Sequence, residues 1–493
     1  TKRPTRARRA KVSDDYPFQP RPPPTLQAPR LDSSADGRRP PEEVPEHGKL
    51  RGARADDDVG SEENHNAGLN TEKGSDTGHN DWKERDAGQG DEKEGEGGHA
   101  APQGSSGPSQ RSLEEILHNP HKGKYRDLLD RIKHTVPEDL WGKPPTADIM
   151  ALYEKTGCDI LTVPYDPEQD DQCIEYLKNM DNWAEVKAMA SLFDERTVKF
   201  KVRMKAKGLW AILKVPQRMF SQEPYSEYVA WVMDRILHYN RIPPTAWVDA
   251  VPLSMLKAAL DHHKDQKHVD FVLDEFMSYV REAKLLSHQD GEETLGVSVQ
   301  MWTLDVHHLL DTEFAIPYRA HNASWHRYFD PAIGYPEELS IPIHHISQII
   351  TFDYVISNGD RSPNKNNYVA GGCKARRCQR TRKQPWHPGP PDFIFLDHGM
   401  SFYHTGPPRD SPLSKPDTPF CVFRRPIIAR LHALESHGSA KPLSGLLLPK
   451  VPPPILRVLS PKVLSACQTR LDQVLAQVRK CLTRWPEDTV LVP

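Results

Sequence analysis

Two aspartates in the second half of the chain each follow an apolar stretch and lie at a turn. Asp360 belongs to Ile349–Arg361, where apolar residues anchor the backbone and an Asn-Gly pair turns it. Asp397 follows the short apolar run Phe393–Leu396 and precedes a glycine turn. Two carboxylates held on rigid elements suit metal-assisted phosphoryl transfer, in which one orients the attacking hydroxyl and the other holds the metal. The alternative is a pair of ordinary turn aspartates.

A lysine and a glutamate in the first half could complete such a site. Lys214 lies in the apolar run Leu209–Val215, which the pattern predicts as the second strand of a hairpin with Thr197–Met204. An ammonium group among apolar residues usually has a partner. Glu227 stands near the start of a predicted helix, Glu227–Leu237, and could reach it. A glutamate at a helix N-terminus is also favourable through the helix dipole alone.

The order of these residues, Lys214, Glu227, Asp360 and Asp397, is the order in which a kinase-like fold presents its parts. In such a site the lysine neutralises ATP phosphates and the glutamate holds or supplements it. Asp397 would bind the metal, and Asp360 would accept the proton of the attacking hydroxyl. No GxGxxG loop precedes Lys214, and coincident charges remain the alternative interpretation.

Two further segments could serve a nucleotide. Three asparagines follow Asp360 where kinases keep a metal-binding asparagine: Asn364, Asn366 and Asn367. Asn367 is favoured because apolar Tyr368-Val369 follows it. Val297–Trp302 is predicted as a short strand that leads into a second lobe. Such a connector can place backbone donors against a flat heterocycle, although an ordinary strand between lobes has the same pattern.

Composition sets limits on the class of protein. The net charge of −3 over 493 residues gives no case for nucleic acid or an anionic membrane as partner. Thr1 in place of a methionine indicates a processed form or a fragment, from which a signal or anchor segment could have been removed. No run of about 18 apolar residues occurs. The sequence predicts neither an oligomeric state nor a protein partner.

The elements predict an α+β class with three regions. Residues 1–110 are polar and rich in Pro and Gly, and they predict a disordered stalk. Residues 111–296 are assigned to N-terminal helices and a first lobe, and 297–493 to a second lobe with the catalytic and metal motifs. Helical spacing recurs at Leu113–Leu117, Tyr125–Ile132, Leu253–Leu286 and Leu464–Leu482.

Seven cysteines in so long a chain do not establish an oxidising compartment. The segment from Gly371 through Lys383 is basic, contains two glycines and is predicted as a loop. Cys373 and Cys378 lie within it and could form a small disulfide loop or bind metal. Zinc is disfavoured because no second pair at zinc spacing stands beside them. The sequon at Asn322 permits glycosylation in a secreted protein.

Several motifs together resemble the secretory-pathway kinases that comprise glycosaminoglycan xylosylkinase, Golgi casein kinase and Four-jointed, from about Pro137 to Val492. Phe352–Arg361 is similar to the family's FDYLIGNxDR segment, and Leu396–Gly399 to its LDNG or LDNA motif. Glu227–Leu237 and the following Arg-Ile-Pro-Pro are similar to its AExAAFHLDRIL helix and RxPP exit. Short segments such as Pro137–Trp141, Ser298–Trp302 and Asp488–Val492 are most similar to the xylosylkinase.

The resemblance implies a two-lobed, atypical protein-kinase-like fold that uses ATP and Mn²⁺, with Mg²⁺ as a possible substitute. It implies a place in the Golgi lumen or outside the cell. It assigns the residues as follows: Lys214 to the phosphates, Glu227 and Asp397 to the metal, Asp360 to the base, and Gln300, Met301, Trp302 and Thr303 to the adenine-side connector. It also implies a disulfide between Cys421 and Cys481. The pairing of Cys158, Cys173, Cys373, Cys378 and Cys467 stays open.

Departures from the family pattern bear on the acceptor. Ser362-Pro363 replaces its His-His, and the interval between Asp360 and Asp397 is longer than in its relatives. The prediction is a kinase acting on a hydroxyl, with xylose of the proteoglycan linker as first choice of acceptor. One alternative is a Ser/Thr kinase of secreted or cadherin-type proteins, for which a basic groove at Lys374–Lys383 would suit an acidic substrate. The other is a nucleotide-binding pseudokinase that activates a partner.

Overall fold

The structure is a computed structural model that describes residues 111–118 and 145–493, except 190–196, 262, 264, 313, 316–322, 363–364, 374–386, 388–390 and 437–441. Several predicted features lie outside these residues: the stalk 1–110, the helical pattern Tyr125–Ile132, Asn322, Cys378 and the basic segment Lys374–Lys383. Among the described helices, none is long and apolar enough to cross a membrane.

The chain alternates helices and strands in a mixed order. The helices are α1 Leu113–His118, α2 Ala147–Thr156, α3 Pro167–Lys178, α4 Glu223–Ile236, α5 Leu253–Asp261, α6 Gln266–Val272, α7 Tyr279–Glu282, α8 Ser340–Ile356, α9 Arg425–His432, α10 Leu443–Leu447, α11 Pro453–Val458, α12 Pro461–Leu482 and α13 Glu487–Val490. The strands are β1 Trp183–Ala188, β2 Lys199–Met204, β3 Trp210–Lys214, β4 Thr245–Pro252, β5 Ser287–Gln289, β6 Glu292–Met301, β7 Val306–His308, β8 Tyr368–Ala370, β9 Asp392–Ile394, β10 Phe423–Arg424 and β11 Leu491–Val492. A π-helical turn, Leu273–Ser278, joins α6 to α7.

A six-stranded antiparallel sheet forms the first lobe, in the order β1-β2-β3-β6-β4 with β5 paired to β6. The predicted hairpin is confirmed as β2 and β3, in which Lys199 lies opposite Lys214. Alternation along β2 buries Phe200, Val202 and Met204 and turns its lysines to the other face. The predicted connector strand is the second half of β6, so the boundary set at residue 297 falls inside a strand.

Two separate apolar cores define the two lobes. The first lies between one face of the sheet and α2, α3, α5 and α6, with Phe200, Leu213 and Val299 fully buried. The second gathers α4, α8, α9 and α12 around Phe352 and Leu475. The α+β, two-lobed fold class is therefore confirmed. Helix α4 packs its apolar side chains in the second core although it follows β3 directly in the chain.

The apolar segment before Asp360 is the end of a helix, α8, in which all 17 residues are buried. The helix stops at Ser357, whose φ of 58° is left-handed and whose N–H bonds to the carbonyls of Asp353 and Tyr354. Three short strands, β7, β8 and β9, form a small sheet beside this end. Strand β8 follows the Asp360 loop and β9 precedes Asp397, so their pairing brings the two aspartate segments together.

The long helix α12 near the C-terminus closes the second lobe, as its spacing predicted. Arg470 is 1% exposed and donates to the carbonyls of Val355, at 2.9 Å, and Thr405, at 2.8 Å. Cys421 and Cys481 are bridged, as the resemblance implied, and Cys158 pairs with Cys173. Cys373 is also disulfide-bonded, and Cys467 is a buried free thiol.

Candidate active site

Lys214, at the end of β3, contacts three carboxylates at once. Its Nζ lies 2.5 Å from Glu227 Oε1, 3.2 Å from Glu223 Oε1 and 3.4 Å from Asp397 Oδ1. Lys214, Glu223 and Glu227 are buried, and the Asp397 side chain is 37% exposed. The structure therefore places the predicted lysine, glutamate and aspartate in one cluster. It adds Glu223, which the sequence interpretation did not assign to the site.

Glu223 and Glu227 come from one face of α4, because residues four apart on a helix are neighbours. The other oxygen of Glu223 accepts a hydrogen bond from Gln217 Nε2 at 2.6 Å. The start of the helix is fixed to the segment beyond Asp397, since Ser226 Oγ donates to the Ser401 carbonyl at 2.7 Å. Both glutamates thus reach toward Lys214 from a helix that is anchored to the second lobe.

Asp397 stands on a tight turn that the same helix holds. Its backbone is left-handed, with a φ of 62°. The N–H of His398 donates to Glu227 Oε1 at 2.9 Å. A side chain at Gly399 would not fit, because its Cβ would lie 2.8 Å from Glu223 Cγ. The glycine after Asp397 is therefore required by the close approach of α4.

The charges of the cluster alter one another. Burial alone would lower the pKa of Lys214, but Glu227, Glu223 and Asp397 hold it well above its usual value. The pKa of Glu227 is lowered despite burial, through Lys214 and His398. The pKa of Asp397 is also lowered, because Lys214 and then Lys199 outweigh the partial loss of hydration at this carboxylate. Glu223 is the exception in this cluster. Burial has a larger effect there than the attraction of Lys214, so its pKa is raised.

The carboxylates could hold a divalent cation. One ligand oxygen from each of Glu223, Glu227 and Asp397 lies within 4.8 Å of the other two. Glu227 Oε2 is buried and has no hydrogen-bond partner among the described residues, although His398 Nδ1 lies 3.7 Å from it. Carboxylate oxygens are the ligands that Mg²⁺ and Mn²⁺ prefer. An unsatisfied buried oxygen beside two further carboxylates fits such an ion, which would take the place of lost hydration.

Asp360 lies on the loop that follows α8, with its side chain 36% exposed. Its N–H donates to Asn358 Oδ1 at 3.3 Å, and Asn366 Nδ2 donates to its carbonyl at 2.8 Å. One carboxylate oxygen pairs with Lys365, whose side chain is 59% exposed. The backbone of Asp360 is therefore fixed, and its partly exposed carboxylate is held by Lys365 and by Asn366 Nδ2, which lies 3.4 Å from the second oxygen.

Arg361 joins the Asp360 loop to the Asp397 turn. Its Nε donates to Asp353 Oδ2 at 2.6 Å, and its Nη1 donates to the Leu396 carbonyl at 3.0 Å. Its Nη2 lies 3.4 Å from the Asp397 carbonyl. The side chain is 4% exposed and paired with a carboxylate, so these charge-assisted bonds are stronger than neutral ones. One guanidinium thus sets the distance between the two predicted functional aspartates.

Asn367 lies at the end of the Asp360 loop, where its side-chain amide donates to the carbonyls of Ser362 and Lys365. Its neighbour Asn366 bonds to Asp360, and Asn364 lies outside the described residues. The amide group of Asn367 therefore shapes the loop. A metal-binding role for its oxygen stays a prediction.

The connector after β6 offers few free backbone donors. The N–H groups of Met301 and Trp302 bond to the carbonyls of Pro244 and Trp210, both at 2.9 Å. Gln300 Nε2 donates to Thr245 Oγ1 at 3.0 Å, and Thr303 Oγ1 lies 2.7 Å from the Tyr165 hydroxyl. Within the described residues, the Thr303 N–H makes no hydrogen bond, and a role for this connector in binding a base stays a prediction.

Comparison with known proteins gives no family model and no curated protein that matches the chain. Solved structures do match. The Golgi casein kinase superimposes with a TM-score of 0.46 and 15% identity, over 78% of this chain and 93% of the kinase. Hydra Fam20 with sugar gives 0.46 and 15% over 69% of this chain and 98% of its own. The Golgi casein kinase with Mn and ADP bound gives 0.45 and 16%, over 78% and 96%. TM-scores and sequence identities this low do not assign an activity to the chain.

Two residues of the site escaped the sequence interpretation. Glu223 was missed because the helix was predicted to begin at Glu227, although the four-residue spacing of two glutamates was a usable signal. Arg361 was read only as part of a motif. Its bonds to Asp353 and to the Leu396 carbonyl depend on how α8 ends, which the sequence does not show.

Proposed function

We propose that this chain is a metal-dependent kinase that transfers the γ-phosphate of ATP to an alcohol hydroxyl. The observation that carries the proposal is the contact of buried Lys214 with Glu223, Glu227 and Asp397. A buried ammonium next to a potential cation site, where the sheet of the first lobe meets the second lobe, is the arrangement by which kinases bind the phosphates of a nucleotide.

Each residue has a defined part in the transfer. Lys214 binds the phosphates, while Glu223, Glu227 and Asp397 hold the divalent cation. When bound, that cation neutralises charge on the transferred phosphoryl group. Asp360 takes the proton of the acceptor hydroxyl as the acceptor oxygen bonds to the γ-phosphorus and the bond to the ADP oxygen breaks. Arg361 keeps Asp360 in register with Asp397.

The preferred acceptor is xylose in the proteoglycan linker, and a Ser or Thr of a secreted protein is the alternative. The preference comes from the sequence resemblance to the xylosylkinase. A pseudokinase that activates a partner is the candidate from another class. Three described disulfide-bonded sites support a lumenal or extracellular location, because disulfides persist in oxidising compartments: Cys158–Cys173, Cys421–Cys481 and Cys373.

The test is transfer of label from γ-labelled ATP with Mn²⁺ to two acceptors, a Gal-Xyl glycopeptide and an acidic Ser peptide. Asp360→Asn should abolish transfer and leave nucleotide binding intact. The matched control is Asp417→Asn, at an aspartate whose side chain is 98% exposed. Label on the sugar alone supports the first acceptor, and label on the peptide alone supports the second. Nucleotide binding without transfer to either would favour the pseudokinase.

A further inference from the structure

Lys199 stands directly opposite Lys214 on the neighbouring strand of the sheet. Side chains of directly opposed residues in an antiparallel pair point to the same face, so Lys199 lies on the face of the sheet from which Lys214 contacts Asp397. Two like charges in such a position repel each other and destabilise the pair of strands. A second lysine at this position therefore depends on the negative charge of the acidic cluster around Lys214.

The other cations of the β1–β2 hairpin have partners. Lys187 Nζ lies 2.9 Å from Glu185, and Arg203 Nε lies 3.2 Å from the same carboxylate. Lys201 Nζ stands 4.4 Å from the ring centres of both Trp210 and Trp302. Lys199 differs, because it is half-buried and makes no ion pair with any residue that the structure describes.

The field of Lys199 reaches the acidic cluster. It interacts electrostatically with Asp397 and Glu223, although it touches neither carboxylate. Three carboxylates and Lys214 leave the cluster with two negative charges, which a divalent cation would neutralise. The phosphates of a nucleotide would then add negative charge that the cluster itself no longer balances.

We propose that Lys199 binds the terminal phosphates of the nucleotide from the face of the sheet that also carries Lys214. The inference rests on the proposed function and extends it to a residue that neither the motifs nor the cluster identified. In protein kinases a glycine-rich loop covers the phosphates. This sequence has no GxGxxG before Lys214, and a lysine from β2 supplies the covering charge instead.

The test compares the affinities of the full chain for Mn·ATP, Mn·ADP and AMP by calorimetry. Lys199→Gln should weaken Mn·ATP about 10- to 100-fold, the range for loss of a charged hydrogen bond, and leave AMP unchanged. Lys199→Arg should stay within about threefold of the wild type, because the charge is retained. The matched control is Lys187→Gln, which removes a lysine of the same hairpin that is paired with Glu185.

Two measurements show whether the variant keeps its fold: the affinity for Mn²⁺ alone and the thermal unfolding midpoint. In Lys199→Gln neither the affinity nor the midpoint should fall. Equal affinity of Lys199→Gln and wild type for Mn·ATP would overturn the inference and leave the proposed function standing. An equal loss for ATP and AMP would also overturn it. If the wild type bound no Mn·ATP, the proposed function would fail first, and this inference with it.

Discussion

Lys214 Nζ and Asp397 Oδ1 lie 3.4 Å apart, although 183 positions separate the two residues in the sequence. The contact joins the sheet of the first lobe to the turn after β9 in the second. The kinase interpretation required these two groups to share one cleft. Had they faced opposite sides of the molecule, no single triphosphate could have reached both.

Lys214→Met should abolish Mn·ATP binding and transfer. It should also destabilise the fold by about 3–5 kcal/mol, the usual cost of removing one partner of a buried ion pair. Three carboxylates would then face one another, and added Mn²⁺ should raise the unfolding temperature of the variant more than that of the wild type. Thermal unfolding with and without Mn²⁺ measures this, with Lys187→Met as control. A smaller shift in the variant would contradict the assignment of the carboxylates to a metal.

Gly399→Ala should impair the site without changing a charged residue. The new Cβ would lie 2.8 Å from Glu223 Cγ, so either α4 or the Asp397 turn must move. We expect a loss of about 1–3 kcal/mol in stability and a higher Mn²⁺ requirement for transfer. Gly406→Ala is the matched control, since no atom lies within 4 Å of its added Cβ. Equal metal titrations for the two variants would refute the packing argument.

Removing the Cys421–Cys481 bridge should cost more than removing Cys158–Cys173. The first closes a separation of 60 residues and the second one of 15. Loop entropy predicts losses of about 4 and about 3 kcal/mol. Paired Cys→Ala variants and denaturant unfolding measure the difference. Non-reduced peptide mapping is the direct check on the lumenal assignment, and free thiols at Cys421 and Cys481 would count against it.

His345 should make the fold sensitive to acid. Its ring stacks on Phe393 at 4.1 Å, and burial, with Arg241, Arg424 and His344 nearby, holds its pKa well below 6.5. The folded state keeps His345 neutral while the unfolded state takes up a proton below about pH 6.5. Its contribution to stability is therefore complete above that pH and lost as the pH falls, by up to about 1.4 kcal/mol per pH unit.

His345→Leu should therefore flatten the fall in the free energy of unfolding between pH 6.5 and 5. The slope should persist in part, because the pKa is lowered at three more histidines: His238, His268 and His326. Replacement of the exposed His288 by Gln serves as control. A slope in His345→Leu as steep as in the wild type would show that His345 is not a proton-linked group.

The sequence predicted the elements that carry a strong pattern. Alternation in β2 and the spacing of α12 led to the observed strand and helix. The apolar run before Asp360 was predicted only as a segment that anchors the backbone, and it is the end of a helix. The start of α4 was misplaced by four residues, because Gln222 makes no side-chain cap and so leaves no capping signal. That error hid Glu223. Glu223 was overlooked because of where the helix was predicted to begin, and not because of its residue type.

Interactions between distant segments could not be predicted. The choice among the asparagines depends on the backbone of the Asp360 loop, where Asn366 is left-handed with a φ of 58°. The connector was expected to present backbone donors, but two of its N–H groups are used inside the sheet and its neighbouring loop. Each outcome follows from tertiary packing, which single-sequence patterns do not encode.

Arg361 has a consequence for how the cleft can move. Because it bonds both to Asp353 and to the turn at Leu396, Asp360 and Asp397 belong to one rigid body. Lys199 and Lys214 belong to the sheet. A hinge motion between the lobes would therefore move Lys199 and Lys214 relative to the nucleotide. It would preserve the distance between Asp360, the proposed proton acceptor, and Asp397, the proposed metal ligand. Such an opening would separate Lys214 from the three carboxylates and leave Asp360, Asp397 and the two glutamates of α4 together.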